Sequence, residues 1–563
     1  MKRVQKNQLE KFTFESVNSL YEQTFRENWN RQALTNYKGA SYSYGEVAVK
    51  IAKLHLMYES CGLRKGDRVA ICAQNQAHWV AALLSVISYG AIAVPLLHEF
   101  KPGNIHHLVN HSESRILFVD QTIWNGIDPS EMPGLEAIVK LDDFSILHSS
   151  NSEIPAAREA IEDSYRAKYP EGLKPEMISY HRDSADELAL INYTSGTSGF
   201  SKGVMIPYRA LCSNILFARK AVPAITNKSN ILSMLPAAHM YGLMFEILYE
   251  FTVGARIFFL TKTPSPAVLL EALAAVRPTV IIAVPLIIEK VYKGKVKPVI
   301  DKPAMKVLLS IPGIRNIIGG KIRKELVKAF GGQFYEVIVG GAAFNREVEE
   351  FMNFIKFPIT VGYGMTECAP ILAYADWDKT RVGSCGKAAR FMEIRIDSID
   401  PARTPGEVQI KGPNVFLGYY NNEKATESAF TPDGWFRTGD MGIIDRDGFL
   451  YLKGRSKCMI LGPSGQNIYP EEIEGELNNL NYVVDSLVVE ENSRLIAIIF
   501  PDRVKATRNG LDEAALREEI DSQIRALNKE QPSYLRIAKT EFLEDDFERT
   551  PKKSIKRYLY QKD

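Results

Sequence analysis

Residues 188–203 read LALINYTSGTSGFSKG, and they carry more information than any other part of this chain. The apolar run at 188–192 is typical of a buried strand. The loop that follows combines three glycines, several hydroxyl side chains and Lys202. Glycines permit close backbone approach, amides and hydroxyls donate to phosphate oxygens, and a lysine adds positive charge. The stretch therefore predicts a polyphosphate-binding loop after a strand.

Two other phosphate-binding loops are excluded by spacing. A Walker loop has four residues between its glycines and continues Gly-Lys-Ser/Thr, whereas only two residues separate Gly196 from Gly199, and Lys202 precedes Gly203. The chain also has no GxGxxG motif after a strand, so a dinucleotide is not indicated.

The loop resembles the phosphate-binding signature of the acyl-adenylate-forming superfamily, which includes acyl-CoA synthetases, luciferases and peptide-synthetase adenylation domains. Ser198 and Ser201 replace the Thr and Pro of most members; the first change keeps a hydroxyl and the second removes no ligand. The resemblance implies that ATP is bound by a set of loop residues: Thr194, Ser195, Gly196, Thr197, Ser198, Gly199 and Lys202. It also implies that Thr194 lies at a metal site.

Two further segments resemble superfamily motifs that surround the acid and the adenine. Residues 235–242, LPAAHMYG, place His239 near the carboxylate. We expect it to gate or position the substrate, because a carboxylate that is already ionised needs no general base. Residues 339–343, VGGAA, follow a strand and lack large side chains. An adenine ring is therefore expected against Gly341 and Ala342.

Residues 362–367, GYGMTE, resemble the YGxTE motif of the superfamily. The resemblance assigns Tyr363 to stacking on adenine and Thr366 to the α-phosphate. Glu367 is a hard oxygen ligand suited to Mg²⁺, which prefers carboxylate together with phosphate. The remaining residues of the predicted nucleotide site here are Gly362, Gly364 and Met365.

Residues 435–440, WFRTGD, resemble the RTGD segment, in which Asp440 accepts hydrogen bonds from both ribose hydroxyls. Arg455 is expected to reach the ribose or phosphate. Lys457 stands at the hinge position of the family, where a residue absorbs the backbone change of a domain rotation. All of these candidate loops are expected to follow strands.

The tail, residues 549–557, RTPKKSIKR, departs from the family pattern. Alignment on Ile555 and Arg557 puts Ser554 where the adenylation lysine is expected. Lys553 and Lys556 are the alternatives, and the sequence leaves the choice between them open.

A chain of 563 residues, 45% hydrophobic and 24% charged, is too long for one ordinary domain. Apolar strands alternating with helices predict an α/β fold with layered, mostly parallel sheets. We expect an AMP-binding N-terminal domain at 1–455, with a β-rich subdomain from about 390, and a small mobile α+β domain at 456–563. In that last domain, a helix is expected at 467–480.

Charge and cysteine content narrow the function classes. The net charge of +2 implies no bulk attraction to nucleic acid. Six scattered cysteines without a CxxC pair favour reduced thiols and a cytoplasmic location. The longest apolar segment, 81–97, is interrupted by polar residues and reads as helix, turn and strand, so no transmembrane segment is expected. A peripheral membrane contact is compatible with the sequence.

The resemblance implies an acid–thiol ligase. ATP and coenzyme A would be its cosubstrates, and Mg²⁺ would be its cofactor. Segments 284–292 and 417–421 look like those of long-chain fatty acyl-CoA synthetases. Five apolar residues near the expected acid site could line a tunnel for the acyl chain, although core packing is the ordinary role of any single one: Met240, Leu243, Met244, Phe245 and Ile247. Three alternatives stay open: an acyl-carrier-protein acceptor, an aryl or amino acid substrate, and a nucleotide-binding homologue with impaired catalysis.

Overall fold

The protein is described by a computed structural model that covers residues 11–194, 202–261, 266–462, 466–550 and 554–561. Five predicted loop residues (Ser195, Gly196, Thr197, Ser198 and Gly199) and Lys553 lie outside the described residues. Their predicted roles stay predictions.

An eight-stranded sheet forms the centre of the N-terminal part. Its strands in spatial order are Gly418–Tyr419, Lys202–Pro207, Leu188–Thr194, Ile92–Leu96, Arg68–Cys72, Ser114–Val119, Ala137–Lys140 and Ile146–Ser149. The strands from Leu188–Thr194 to Ala137–Lys140 run parallel, while the outer strands are antiparallel. Thr194 pairs with Lys202, so the two ends of the predicted phosphate loop lie side by side.

Helices of this part pack their apolar faces against the sheets or against one another. The longer ones are Val17–Asn28, Tyr44–Ser60, Ala77–Tyr89, Pro102–His111 and Tyr208–Ala221. The helix Ala77–Tyr89 is buried at every position except Tyr89, as its nearly unbroken apolar sequence predicts. It is followed by Gly90 at a φ of 87° and then by a strand, which confirms the helix, turn and strand expected at 81–97.

Two smaller sheets complete the α/β layers. One contains Asn230–Ser233, Arg256–Phe259, Gln32–Asn36 and Ser41–Ser43; the other is wholly parallel and contains Val280–Ala283, Glu336–Val339 and Ile359–Val361. Helices Pro266–Val276, Pro285–Val291, Ile314–Ala329 and Arg346–Phe354 accompany the parallel sheet. Its strands end at one edge, where the amide of Gly340 donates to the Ala283 carbonyl (3.1 Å) and that of Gly362 to the Val339 carbonyl (2.8 Å).

The β-rich part expected from about residue 390 is present. Its four antiparallel strands are Glu393–Asp397, Gly406–Lys411, Phe436–Ile444 and Leu450–Arg455, and a small neighbouring sheet contains Tyr363–Gly364, Ile371–Tyr374 and Lys387–Ala388. The motif at 435–440 lies largely inside the strand Phe436–Ile444. The expectation that every candidate loop follows a strand is therefore wrong for this motif.

The C-terminal part has its own apolar core, built on strands Val483–Glu491, Arg494–Pro501 and Ile537–Phe542 and helix Glu513–Glu530. The helix expected at 467–480 is shorter, because Asn467–Ile468 pairs as a strand with Ile460–Leu461 and the helix spans Pro470–Leu477. Pro470 explains this start, since proline has no N–H to donate and suits the first helical turn. The α/β class with N- and C-terminal parts is confirmed; the exact boundary at 455 and the mobility stay predictions.

Candidate functional site

Lys202 and Glu367 lie on either side of one tyrosine, Tyr419. The Lys202 Nζ atom is 4.5 Å from the centroid of the Tyr419 ring, and the Tyr419 hydroxyl donates to Glu367 Oε1 at 3.0 Å. The strand Gly418–Tyr419 pairs with Lys202–Pro207, and this pairing brings the three side chains together. The groups predicted for the triphosphate and for the metal are thus neighbours. Sequence reasoning assigned no role to Tyr419, because its contacts depend on this long-range pairing.

The donor set around Glu367 fits a magnesium ion shared with phosphate. Mg²⁺ is usually held by one or two carboxylates, waters and substrate phosphates rather than by an all-protein cage. Glu367 is 8% exposed and uses one oxygen for Tyr419. Among the described residues, no group of three or more His, Cys, Asp and Glu side chains is placed to hold a metal. Glu367, with the hydroxyl of Thr194, would therefore hold the ion together with ATP.

A second cluster joins Tyr363, Asp440 and Arg455. The Tyr363 hydroxyl donates to Asp440 Oδ2 at 2.5 Å, and Arg455 Nε lies 2.9 Å from Oδ1. Burial raises the pKa of Asp440 above its usual value, and the positive charge of Arg455 opposes that effect. Each carboxylate oxygen can accept more than one hydrogen bond. Asp440 can therefore receive a ribose hydroxyl while it keeps these partners.

Small residues surround the predicted adenine position. Gly341 has a φ of 87°, a left-handed value that favours glycine, and Ala342 beside it is exposed. A Cβ on Gly340 would approach the Tyr241 ring to 3.2 Å, and one on Gly364 would lie 2.3 Å from the Pro370 carbonyl oxygen. Close approach of chain segments thus explains Gly340 and Gly364, whereas the backbone conformation explains Gly341.

A narrow cavity of about 60 Å³ extends from these motifs into the apolar interior. Its motif residues include His239, Gly341, Gly362, Tyr363, Gly364, Met365 and Thr366. His239 precedes a helix and its Nδ1 accepts a hydrogen bond from the Tyr241 amide at 3.3 Å. It is half-buried at the point where the motif residues meet the apolar wall.

The five apolar side chains divide between the two roles considered for them, tunnel lining and core packing. Met240 and Phe245 line the cavity. Leu243, Met244 and Ile247 are fully buried and are not among the lining residues. Neighbouring residues of a helix point in different directions, so Leu243, Met244 and Ile247 pack into the core while Tyr241 and Phe245 face the cavity. Other apolar lining residues come from segments that sequence reasoning did not connect: Phe217, Ala218, Val222, Ile225, Val280 and Ile282.

Glu246 holds the backbone that precedes His239. Its carboxylate is fully buried and accepts hydrogen bonds from Ser233 Oγ (3.0 Å), the Met234 amide (3.0 Å) and the Leu235 amide (3.1 Å). Burial raises the pKa of Glu246 to about 8, with the hydrogen bonds acting in the opposite direction. No signal in the sequence singled out this residue.

The raised pKa of Glu246 predicts a pH-dependent contribution to stability. In the unfolded chain the group titrates near 4.5, whereas in the folded chain it titrates near 8, so the folded state binds the extra proton between these values. Stability from this group is present at low pH and is lost as pH rises through about 8. We expect the free energy of unfolding of wild type, relative to that of Glu246→Gln, to fall from about pH 5 to about pH 8 by at most about 1.4 kcal/mol per pH unit. The melting temperature of wild type is expected to fall relative to that of the variant over the same range.

Thermal melts of both proteins across that range provide the measurement. The other buried carboxyls with raised pKa values, such as Glu336 and Glu349, are common to both proteins and cancel in the difference. A difference that stays constant with pH would contradict the assignment.

Lys457 and Lys556 are not in the two clusters described above. Lys457 is exposed in the short turn Ser456–Cys458, consistent in position with a linker between the two parts. The Lys556 Nζ atom pairs with Glu548 Oε2 at 3.2 Å. The C-terminal part contacts the N-terminal part elsewhere, through a hydrogen bond from Lys293 Nζ to the Asn478 carbonyl (3.0 Å). The adenylation role of Lys556 stays a prediction.

Comparison with known proteins agrees with these motifs. The long-chain-fatty-acid–CoA ligase FadD15 of Mycobacterium bovis is 27% identical over 553 residues, covering 91% of this chain and 89% of the relative. Long-chain-fatty-acid–CoA ligase 1 of Saccharomyces cerevisiae is 27% identical over 509 residues, covering 82% and 72%. The crystal structure of ATP-bound MatB from Rhodopseudomonas palustris shares the fold, with a TM-score of 0.75, 24% identity and coverage of 97% and 98%.

Within the described residues, no helix has both the length and the apolar character needed to cross a membrane. Two family models match the sequence: "AMP-binding enzyme" at residues 21–420 and "AMP-binding enzyme C-terminal domain" at residues 459–563. Together the two matches cover most of the chain, including the central sheets and the C-terminal core. The chain belongs to the AMP-binding enzyme family, which confirms its resemblance to the acyl-adenylate-forming enzymes.

Proposed function

We propose that this chain activates a carboxylic acid of the fatty acid class with ATP and transfers the acyl group to coenzyme A. The carboxylate attacks the α-phosphorus, pyrophosphate leaves, and an acyl-adenylate is formed. A thiol then attacks the acyl carbon, AMP leaves, and a thioester is formed. The relatives named as long-chain-fatty-acid–CoA ligases support the choice of acid and acceptor.

One observation carries the proposal: a single cavity touches both the nucleotide motifs and an apolar wall. Gly341 and Thr366 border it on one side, and Phe217, Val222 and Ile225 border it on another. An acyl chain buried against these side chains would leave its carboxylate beside the α-phosphate. Such positioning is a large part of the rate enhancement in reactions that join two substrates.

The charged side chains of the two clusters suit phosphoryl transfer. Negative charge spreads over phosphate oxygens in the transition state, so fixed positive charge and donors stabilise it. Lys202 would hold the outer phosphates, and Thr366 would donate to the α-phosphate. Mg²⁺, held by Glu367 and Thr194, would neutralise phosphate charge when bound. Asp440 and Arg455 would orient the ribose.

Thioester formation needs the same face of the acyl group that the adenylation lysine occupies. We propose that the C-terminal part turns near Lys457, so that Lys553 or Lys556 is withdrawn and the thiol enters. Peripheral contact with a membrane, which would supply the acid, is compatible with this scheme.

ATP–pyrophosphate exchange tests the first step. Purified protein is incubated with ATP, labelled pyrophosphate and a panel of acids that includes fatty, aryl and amino acids. Exchange that depends on a fatty acid is expected. Addition of coenzyme A is then expected to yield thioester and AMP. Turnover only with an acyl carrier protein would change the acceptor, and a lack of exchange with every acid would contradict the proposed activity.

A further inference from the structure

The cavity is lined by several residues of one helix, and one of them is a glutamate. Residues 240–252 form a continuous helical segment, in which Tyr241, Phe245 and Tyr249 line the cavity together with Glu250. The three aromatic residues recur every four positions, so they share one face of the helix. The cavity therefore follows this face from the nucleotide motifs, near Tyr241, to Glu250.

The helix sets a minimum length for the acyl group. The eleven steps from His239 to Glu250 correspond to at most about 16 Å at the α-helical rise, because the π-helical turn Leu243–Leu248 rises less per residue. An extended chain advances about 3.5 Å for every three bonds. Reaching Glu250 from the position of His239 therefore requires up to about fourteen chain atoms, which falls within the fatty acid class.

Glu250 has an unusual position for a carboxyl group. It is 1% exposed, and among the described residues its buried Oε2 atom has no hydrogen-bond partner. Apolar side chains border this part of the cavity, among them Val222 and Ile225. The neighbouring cation, Arg219, donates from Nη2 to the Thr252 carbonyl oxygen at 3.3 Å.

The surroundings determine the charge of this carboxyl. Burial raises the pKa of Glu250 well above its usual value, and the nearby carboxyl of Glu246 raises it further. Buried charges without a partner are strongly disfavoured, which favours the protonated form of this carboxyl. A neutral carboxyl both donates and accepts a hydrogen bond, which a hydroxyl group matches in both directions.

We propose that Glu250 recognises a hydroxyl group on the distal part of the acyl chain, so that the preferred substrate is a hydroxylated fatty acid. The inference rests on the proposed activity and narrows its substrate. A site that hydrogen-bonds a substrate hydroxyl discriminates strongly against the analogue without it, because the buried polar group is then left unpaired. An unmodified alkyl chain would leave Glu250 facing only methylene groups.

The test compares acids of equal length in pyrophosphate exchange. The panel pairs each unsubstituted acid from decanoic to hexadecanoic with its ω-hydroxy and ω-amino derivatives. For wild type we expect kcat/KM to favour the hydroxy acid over the unsubstituted acid by at least about tenfold at the best length. A ratio of hydroxy to unsubstituted acid near one at every length, or a preference for the ω-amino derivative, would overturn the assignment.

Two substitutions locate the preference. Glu250→Leu is expected to remove or reverse the ratio, whereas Glu250→Gln, which still donates and accepts, is expected to keep most of it. Glu349→Gln is the matched control, because Glu349 is also a buried carboxyl with a raised pKa and is not among the cavity-lining residues; its ratio is expected to equal that of wild type. Partial unfolding lowers kcat/KM for both acids equally, so the ratio of the two values within one protein is unaffected by it. An unchanged ratio in Glu250→Leu would therefore overturn the proposal. Exchange with none of the acids would instead contradict the proposed activity itself.

Discussion

Replacement of Glu367 by Gln is expected to lower acid-dependent pyrophosphate exchange by about 1,000-fold, because a neutral amide is a poor ligand for Mg²⁺. The substitution keeps the size of the side chain and an oxygen that accepts the Tyr419 hydroxyl, so the surrounding packing is retained. The loss is expected mainly in kcat. Exchange assays at saturating ATP over a range of Mg²⁺ concentrations provide the measurement, with partial recovery at high Mg²⁺.

Tyr419→Phe is the matched control for this experiment. It removes the hydroxyl that donates to Glu367 but keeps the ring beneath Lys202 and the charge of Glu367. Loss of one hydrogen bond is expected to cost about tenfold or less. Glu427 is exposed and lies outside the two clusters, so Glu427→Gln is expected to leave the exchange rate unchanged. Exchange at the wild-type rate in Glu367→Gln would rule out the metal assignment.

Asp440→Asn is expected to lower kcat/KM for ATP by about 100-fold, mostly through KM. Hydrogen bonds to a charged carboxylate are stronger than those to an amide, and two ribose hydroxyls are affected at once. Arg455 Nε also loses its charged partner, which lies 2.9 Å away in the structure. Steady-state kinetics with varied ATP, together with calorimetry of ATP binding, provide the measurement.

Two comparisons sharpen this second experiment. Tyr363→Phe removes one donor to Asp440 while it keeps the ring and the carboxylate, and a loss below about tenfold is expected. Asp433→Asn changes an exposed aspartate of the same β-rich part, which pairs with Arg395, and is expected to leave the KM for ATP unchanged. An unaltered KM in Asp440→Asn would mean that the ribose is bound elsewhere.

Local sequence patterns were sufficient for the elements that surround the site. The motifs at 339–343 and 362–367 were expected to follow strands, and the structure has the strands Glu336–Val339 and Ile359–Val361 at these places. Patterns were less informative where a single residue controls an element boundary. Pro470 shortens the helix expected at 467–480, and the preceding Asn467–Ile468 pairs as a strand instead.

The sequence by itself determined the nucleotide motifs and the α/β class, because strand and helix periodicity and glycine-rich loops are properties of adjacent residues. Only the tertiary structure decided which motif residues meet. Tyr419 contacts Glu367 across 52 positions, and Tyr363 contacts Asp440 across 77. It also decided that Glu250 borders the cavity while Leu243, Met244 and Ile247 pack into the core. The physical reason is that strand pairing and burial depend on contacts between distant segments, which no local pattern encodes.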